Sequence, residues 1–427
     1  EYNGYKVYWS NGAQIIPPHD ARISEAIDAI GPAREVPRPD VAHAREAGLW
    51  RAIGDAVTRE YLAQISRLSL RSEGRDKFRI VYTPMHGVGR DTALAAFSQA
   101  GFRDVVVVAA QAEPDGTFPT VNFPNPEEPG AMDLAFATAR TTGASIVLAN
   151  DPDADRLAVA VPAREQEGWV QLSGNQVGVL LGHYCMTQDL HPPADRLVVT
   201  TIVSSPMMGA IAAALGVRYE ETLTGFKWIA NRSMQVERET GATFVFGYEE
   251  ALGYTVGTVV RDKDGVAAAA VFAELAATLA AQGRTVLDQL DRLYREYGLF
   301  LSKQVSHWHR CLDGPARIAE LMARLRSAPP RRVGDLDVHA VRDYLRKLRV
   351  RADGTSEPLG LPSSNVLVFD LAGGSRVVAR PSGTEPKIKF YVDHREQVHD
   401  GEPMHEAQRR AAARLQELTD AFLTLVS

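Results

Sequence analysis

Only two cysteines, Cys185 and Cys311, occur in 427 residues. They provide no disulfide framework, which fits a reducing, cytoplasmic setting. Positive charge is also in short supply. The formal net charge is −6, whereas a general nucleic-acid binder needs a basic footprint to meet phosphate. Long uncharged apolar runs are missing as well. The longest apolar stretch, VAAAAVFAELAATLAAQ from Val266, contains Glu274 and falls short of the roughly 18 uncharged residues that would span a bilayer. A buried helix is expected there. No signal-peptide pattern, low-complexity segment or short-period repeat is visible. Neither a nucleic-acid nor a membrane partner is expected, and an anionic ligand would have to be held by a local positive patch.

What is present points to a folded, multi-domain chain: 45% apolar and 23% charged residues suffice for large cores and for three or four domains by length. Near the N-terminus the strand-like run YKVYWS sits between two Asn-Gly turn signals and predicts a hairpin. Helical patterns follow in ARISEAIDAI and VTREYLAQISRL. Short apolar strands then alternate with helices: FRIVYTP, the helix TALAAFSQAGF, DVVVV and ASIVLAND. A second set comprises LVVTTIVSS, the helix PMMGAIAAALG and TFVFGYEE. Continuous apolar strands separated by helices indicate α/β units whose sheets are covered on both faces. The character changes near Phe300, where polar strands (LSKQVSHWH, NVLVFDL, SRVVARP) and two amphipathic helices suggest a smaller α+β domain.

The densest chemical signal is NDPDADR. Asp151, Asp153 and Asp155 alternate directly after the strand ASIVLA, where α/β proteins place ligand loops. Three hard oxygen donors at this spacing suit Mg²⁺ or a similar cation, since like charges so close repel unless neutralised. The bland alternative is a solvated acidic turn. An EF-hand is excluded, because its sixth position needs Gly and is Arg156, and its twelfth needs Glu and is Pro162. A phosphatase with an Asp-x-Asp nucleophile remains an alternative.

RPSGTEPKIKFYV is the second signal. Arg380, Ser382, Gly383 and Thr384 occupy a turn between two strands, where Gly383 lets the backbone approach an oxyanion and Arg380 can grip a phosphate with two parallel bonds. Lys389 on the following strand adds charge. The ordinary alternative is a plain hairpin, which would not need Arg, Ser and Thr converging on Gly.

Two shorter stretches are weaker. TGFKWI carries Lys227 after Gly225, and FGYEEALGY carries Glu249 and Glu250 at a strand end; a loop Lys is usually solvated and a Glu pair usually caps a helix. Together they offer a cation and carboxylates for sugar hydroxyls. His307, His309 and Cys311 imitate a metal site, but strand alternation places three polar residues on one exposed side often, and no fourth ligand is evident.

Taken in order, YNGYK, YTPMHGVG, DPDADR, TGFKW, GYEEALG and RPSGTEP resemble the α-D-phosphohexomutase superfamily, the phosphoglucomutases and phosphomannomutases, nearest the phosphoglucomutase/phosphopentomutase branch. The resemblance runs along the whole chain. It implies three related α/β domains and a C-terminal α+β phosphate-binding domain around a central cleft. The boundaries implied are 1–72 for a remnant of domain 1, 73–172 for domain 2 with the metal loop, 173–299 for domain 3 with the sugar loops and 300–427 for domain 4. In relatives a Thr-Ala-Ser-His-Asn-Pro loop carrying the transferable phosphate precedes YNGYK. These 427 residues contain no such loop, so the resemblance implies a phosphoserine upstream of Glu1.

The implied activity interconverts sugar 1-phosphate and 6-phosphate, of glucose or mannose, through a sugar 1,6-bisphosphate. Phosphopentomutase and a non-catalytic phosphosugar-binding protein are the alternatives. The resemblance also assigns roles: Mg²⁺ on Asp151, Asp153 and Asp155, Arg156 adding charge beside it, and Lys6 moving a proton with a pKa lowered by burial or nearby cations. Gly225, Lys227 and Glu249 would bind sugar, and Arg380, Ser382, Gly383, Thr384 and Lys389 the non-reacting phosphate. Where many relatives carry Ser in the sugar loop this chain has Ala251, and no hydroxyl contact is expected there.

Overall fold

The computed structural model describes residues 6–164, 168–309, 313–383 and 385–426. Three sheets organise it. In the first, Val105–Val107, Ile80–Thr83 and Ile146–Ala149 run parallel, and Ala158–Pro162 and Trp169–Gln171 continue it antiparallel. The second places Arg218–Thr222, Arg196–Thr201 and Thr243–Glu249 in parallel, with Gly253–Val256 antiparallel at the edge. Ile80–Thr83 and Ile146–Ala149 are buried at every position. Their unbroken apolar character follows from cover on both faces.

Leu299–Trp308, by contrast, alternates half-buried with exposed residues over most of its length. It lies at one edge of the third, eight-stranded sheet, in which every pairing is antiparallel. One face of that sheet packs on the helices Gly314–Ser327 and Met404–Val426 through Met322, Phe369, Phe390 and Phe422. Its other face contributes Val368, Val378 and Tyr391 to a core shared with Ile202, Val203 and Leu223 from the second sheet. The C-terminal unit is therefore seated on its neighbour rather than tethered to it.

The helix Gly265–Ala281 is buried along nearly its whole length, and it belongs to one continuous core that spans the first and second sheets. Each fully buried Leu, Val or Phe on such a helix contributes about 1.5–3 kcal/mol. Among the described residues no single helix is long and apolar enough to cross a membrane. Residues 6–72 form no sheet strand, and the expected opening strand shrinks to one bridge, Tyr8 to Gln14, closed over the Asn11-Gly12 turn. The reason lies in its partners. Tyr8 donates to Asp262, and Ala13 bridges to Arg261, so this segment pairs with distant loops rather than extending its own ladder.

Candidate active site

The carboxylate trio is built by a tight turn. Asp151 folds the loop around itself, its carbonyl accepting from Ala154 N at 2.9 Å and its Oδ1 from Arg156 N at 2.9 Å. Ala154 takes a left-handed conformation (φ 58°), a strained state that persists only where surroundings enforce it. Those surroundings are close. A Cβ added to Gly87 would sit 2.4 Å from Pro152 Cα, and one on Gly265 would sit 2.2 Å from the Arg156 carbonyl oxygen. Val88 N donates to Pro152 O at 2.9 Å, so the MHGVG stretch is the cradle of the acidic loop. Gly87→Ala is expected to shift that loop, costing about 1–3 kcal/mol of stability as overpacking does and weakening divalent-cation binding. Calorimetric titration with Mg²⁺ and a melting curve check this; two unchanged curves would contradict the cradle.

Ligand oxygens of Asp151, Asp153 and Asp155 converge within 4.8 Å of one another. Burial, then Asp155 and Asp153, push the Asp151 carboxyl up to about 7, a like-charge conflict that a hard cation would relieve. The donor set therefore fits a divalent metal. Burial would also raise Asp155, but Lys263 and Lys6 outweigh it and hold its carboxyl below the usual range. Lys6 Nζ lies 2.6 Å from Asp155 and 3.5 Å from Asp153. Arg156 Nε lies 3.6 Å from Asp151 and 3.8 Å from Asp155.

The Lys6 ammonium answers to the same carboxylates. Burial works downward on Lys6, yet its hydrogen bond and charge contacts with Asp155, Asp153 and Asp262 win, and the net shift is upward. With the carboxylates unneutralised, Lys6 is paired as an ammonium; a cation on the trio would take that stabilisation away.

Sequence reasoning missed Lys263. Its Nζ is 3.0 Å from Asp155 and 3.3 Å from Asp262, with a side chain only 10% exposed. The signal was an alternation like that of the metal loop, Asp262-Lys263-Asp264 after a strand. At Gly253 an added Cβ would meet both Lys263 Cδ (2.4 Å) and Glu249 Cγ (2.9 Å), so Lys263 and Glu249 pack together there. Lys227, expected with Glu249 to bind sugar hydroxyls, lies in the first turn of Phe226–Thr240 with its Nζ 5.8 Å from the Trp228 ring centre. Gly225 caps that helix at φ 111°, a conformation that favours glycine.

The sugar loop and the metal loop are joined directly. Leu157 N donates to Leu252 O at 3.0 Å, and Arg156 bridges to Gly253. Burial raises Glu249, with Lys263 and Arg156 pulling against it. Glu250 rises to about 7 through burial and the neighbouring Glu249, with Arg380 and Lys389 pulling against it. The Glu249-Glu250 pair thus feels the metal-loop charges on one side and the charges of the RPSGTEP turn on the other. In that turn Arg380 and Lys389 are register partners on adjacent strands. Burial, then Lys387 and Arg380, lower Lys389. Ser382 Oγ accepts from Glu385 N at 3.3 Å, and a Cβ on Gly383 would meet no protein atom within 4 Å. Thr384 and Cys311 lie outside the described residues. The His307 and His309 rings sit 4.8 Å apart.

The sequence matches three domains of one family: phosphoglucomutase/phosphomannomutase alpha/beta/alpha domain II over 59–165, alpha/beta/alpha domain III over 173–297 and the C-terminal domain over 331–406. A probable phosphomannomutase of Haemophilus influenzae is 42% identical over 401 residues, 92% of this chain and 75% of that protein. The phosphopentomutase of Homo sapiens is 40% identical over 409 residues, again 92% of this chain but 65% of that protein. A crystal structure of the Paramecium phosphoglucomutase parafusin aligns with a TM-score of 0.60 at 18% identity, covering 85% of this chain and 62% of that one. The chain thus spans 62% to 75% of the length of these relatives, and across that span it belongs to the phosphoglucomutase/phosphomannomutase family.

Proposed function

We propose that the protein containing this chain is a phosphosugar mutase, which moves phosphate between the two ends of a sugar monophosphate through a bisphosphate and a phosphoserine contributed from upstream of Glu1. The observation that carries this reading is that the Glu249-Glu250 loop is joined to the metal loop through Leu157 N to Leu252 O and the Arg156–Gly253 bridge, with Glu249 packed on Lys263, while Arg380 and Lys389 are near enough to Glu250 to pull its raised pKa down. A carboxylate pair between two anion-attracting clusters suits a substrate with a phosphate at each end and hydroxyls between. Asp151, Asp153 and Asp155 would hold Mg²⁺, which when bound supplies Lewis-acid stabilisation of phosphoryl oxygens. Lys6, Lys263 and Arg156 surround the trio with fixed positive charge aimed where phosphoryl charge accumulates. Lys6, which pairs with Asp155 beside the metal set, would add charge there and move a proton at the sugar oxygen. Glu249 would accept hydrogen bonds from hydroxyls, while Arg380, Ser382, Gly383, Thr384 and Lys389 would hold the phosphate that is not reacting.

A coupled assay of the protein extended upstream of Glu1, on glucose, mannose and ribose 1-phosphates, tests the activity and selects the sugar. Release of inorganic phosphate without a phosphate-migrated product would overturn it in favour of hydrolysis. Arg380→Ala is expected to raise KM by about 10- to 100-fold, the range set by losing a charge-assisted contact to phosphate, with a much smaller change in kcat. An unchanged KM would remove the phosphate grip from the proposal.

A further inference from the structure

The helices Gly174–Gln188 and Gly265–Ala281 both start at the cleft and end away from it. A Cβ on Gly174 would strike the Glu250 carbonyl oxygen, and one on Gly265 that of Arg156. Their C-terminal halves, with the helix Val286–Tyr297, enclose a cavity of about 400 Å³. At 1.5 Å per residue, Leu279 stands roughly 20 Å along its helix from the metal loop. This cavity has no part in the mutase reading.

Its lining is two-sided in chemistry. Leu180, Leu275 and Leu279 provide apolar wall. Among them sits His183, 8% exposed, whose ring is open to the cavity rather than sealed in the core, and beside it Thr278 Oγ1 is buried without a hydrogen-bond partner among the described residues. Burial holds the imidazole down to about 4, so near neutral pH one nitrogen donates and the other accepts. A buried hydroxyl left unpaired is costly unless something enters to meet it, and the neutral imidazole beside it can both donate to and accept from the same occupant.

The rim supplies the charge. Arg71 Nε donates to Gln188 Oε1 at 2.8 Å, and Arg284 Nη2 donates to Gln289 Oε1 at 2.5 Å. Each guanidinium is steadied by a neutral amide, and among the described residues neither lies within ion-pair distance of a carboxylate. Most of their five N–H donors remain available in the planar fork that matches an oxyanion. The third rim arginine, Arg292, is taken by Glu296 at 3.6 Å. Glu73 turns its carboxylate onto Ser72 N at 3.0 Å.

We propose that this cavity is a second ligand site, separate from the cleft, for a small organic oxyanion: a phosphate or carboxylate held by Arg71 and Arg284, with an apolar body against the leucines and one hydrogen bond to His183. The volume accommodates a metabolite-sized molecule rather than a peptide.

Phenyl phosphate and benzoate present the two oxyanions on the same apolar ring. The test titrates each into histidine-labelled protein and follows the His183 ring nitrogens by NMR, the signal being assigned from the His183→Asn variant. A saturable shift of the His183 signal is expected with at least one probe. The Arg71→Gln/Arg284→Gln double variant should weaken it at least tenfold, and Arg380→Ala in the cleft should leave it unchanged. Response to phenyl phosphate alone assigns the site to phosphate esters, to benzoate alone to carboxylates, and to both to either. No shift with either probe up to about 10 mM, a tenfold excess over a millimolar Kd, overturns the site. So does a double variant that binds as well as the parent.

Discussion

Glu274→Ala should lower the unfolding free energy by about 3–5 kcal/mol, the cost of removing one partner from a buried charged network. Glu274 is 2% exposed and accepts five hydrogen bonds: from Leu70 N (2.8 Å), Arg71 N (2.9 Å), Ser69 Oγ (2.8 Å), Tyr184 OH (2.8 Å) and Arg75 Nη2 (2.6 Å). Alanine would take the acceptor from all five donors, among them an arginine whose side chain is only 10% exposed and which would keep only Ala100 O and Ser69 Oγ. Glu274→Gln keeps the shape but meets Arg75 without charge, so it should fall between parent and alanine. Urea unfolding followed by tryptophan fluorescence measures both. The consequence is also local, since this carboxylate ties 69–71 to the central helix, and the backbone amides of Leu70 and Arg71 should lose protection in hydrogen exchange. A loss under about 1 kcal/mol, the typical worth of a single hydrogen bond, would mean the network is not holding the segment.

Glu274 also marks where sequence reading stops. Its presence in an alanine-rich run was enough to reject a membrane span and expect a buried helix, as found. Four of its five partners could not be foreseen, because they lie about 200 residues earlier, in a segment with no pattern of its own. The same division runs through the site. NDPDADR was legible because three carboxylates of one turn must meet whatever the tertiary fold. The reason for MHGVG was not, since Gly87 is dictated by Pro152 from another loop. Lys6 was placed at the site from its proposed role, but its pairing with Asp155, far along the chain, could not be read from the sequence. Lys263 stands in none of the motifs read from the sequence; only the fold places it between Asp155 and Glu249. The parallel strands were plain because burial on both faces leaves an unbroken apolar run, whereas the Tyr8–Gln14 segment has strand composition without a ladder to join.

Asp153→Asn should reduce turnover at low Mg²⁺ on the order of 10³-fold, the equivalent of several kcal/mol of lost transition-state stabilisation. Of the three carboxylates this one isolates the metal function best. Its side chain is 63% exposed and its described ion pair, to Lys6, is long at 3.5 Å, so amide replacement leaves the fold undisturbed. Asp155→Asn would confound the result by stripping Lys6 and Lys263 of their shared partner. Asp151→Asn would disturb the turn that Asp151 closes onto Arg156 N. The neutral amide keeps an oxygen donor but lowers the charge of the set from three to two, and Mg²⁺, which gives up its water reluctantly, depends on that charge. Calorimetry should therefore show weaker Mg²⁺ binding with an unchanged melting temperature, and raising Mg²⁺ should recover part of the turnover. If the variant works normally at low Mg²⁺, the trio is a solvated acidic turn. The positive ring of Lys6, Lys263 and Arg156 would then have to carry the phosphoryl chemistry without a metal.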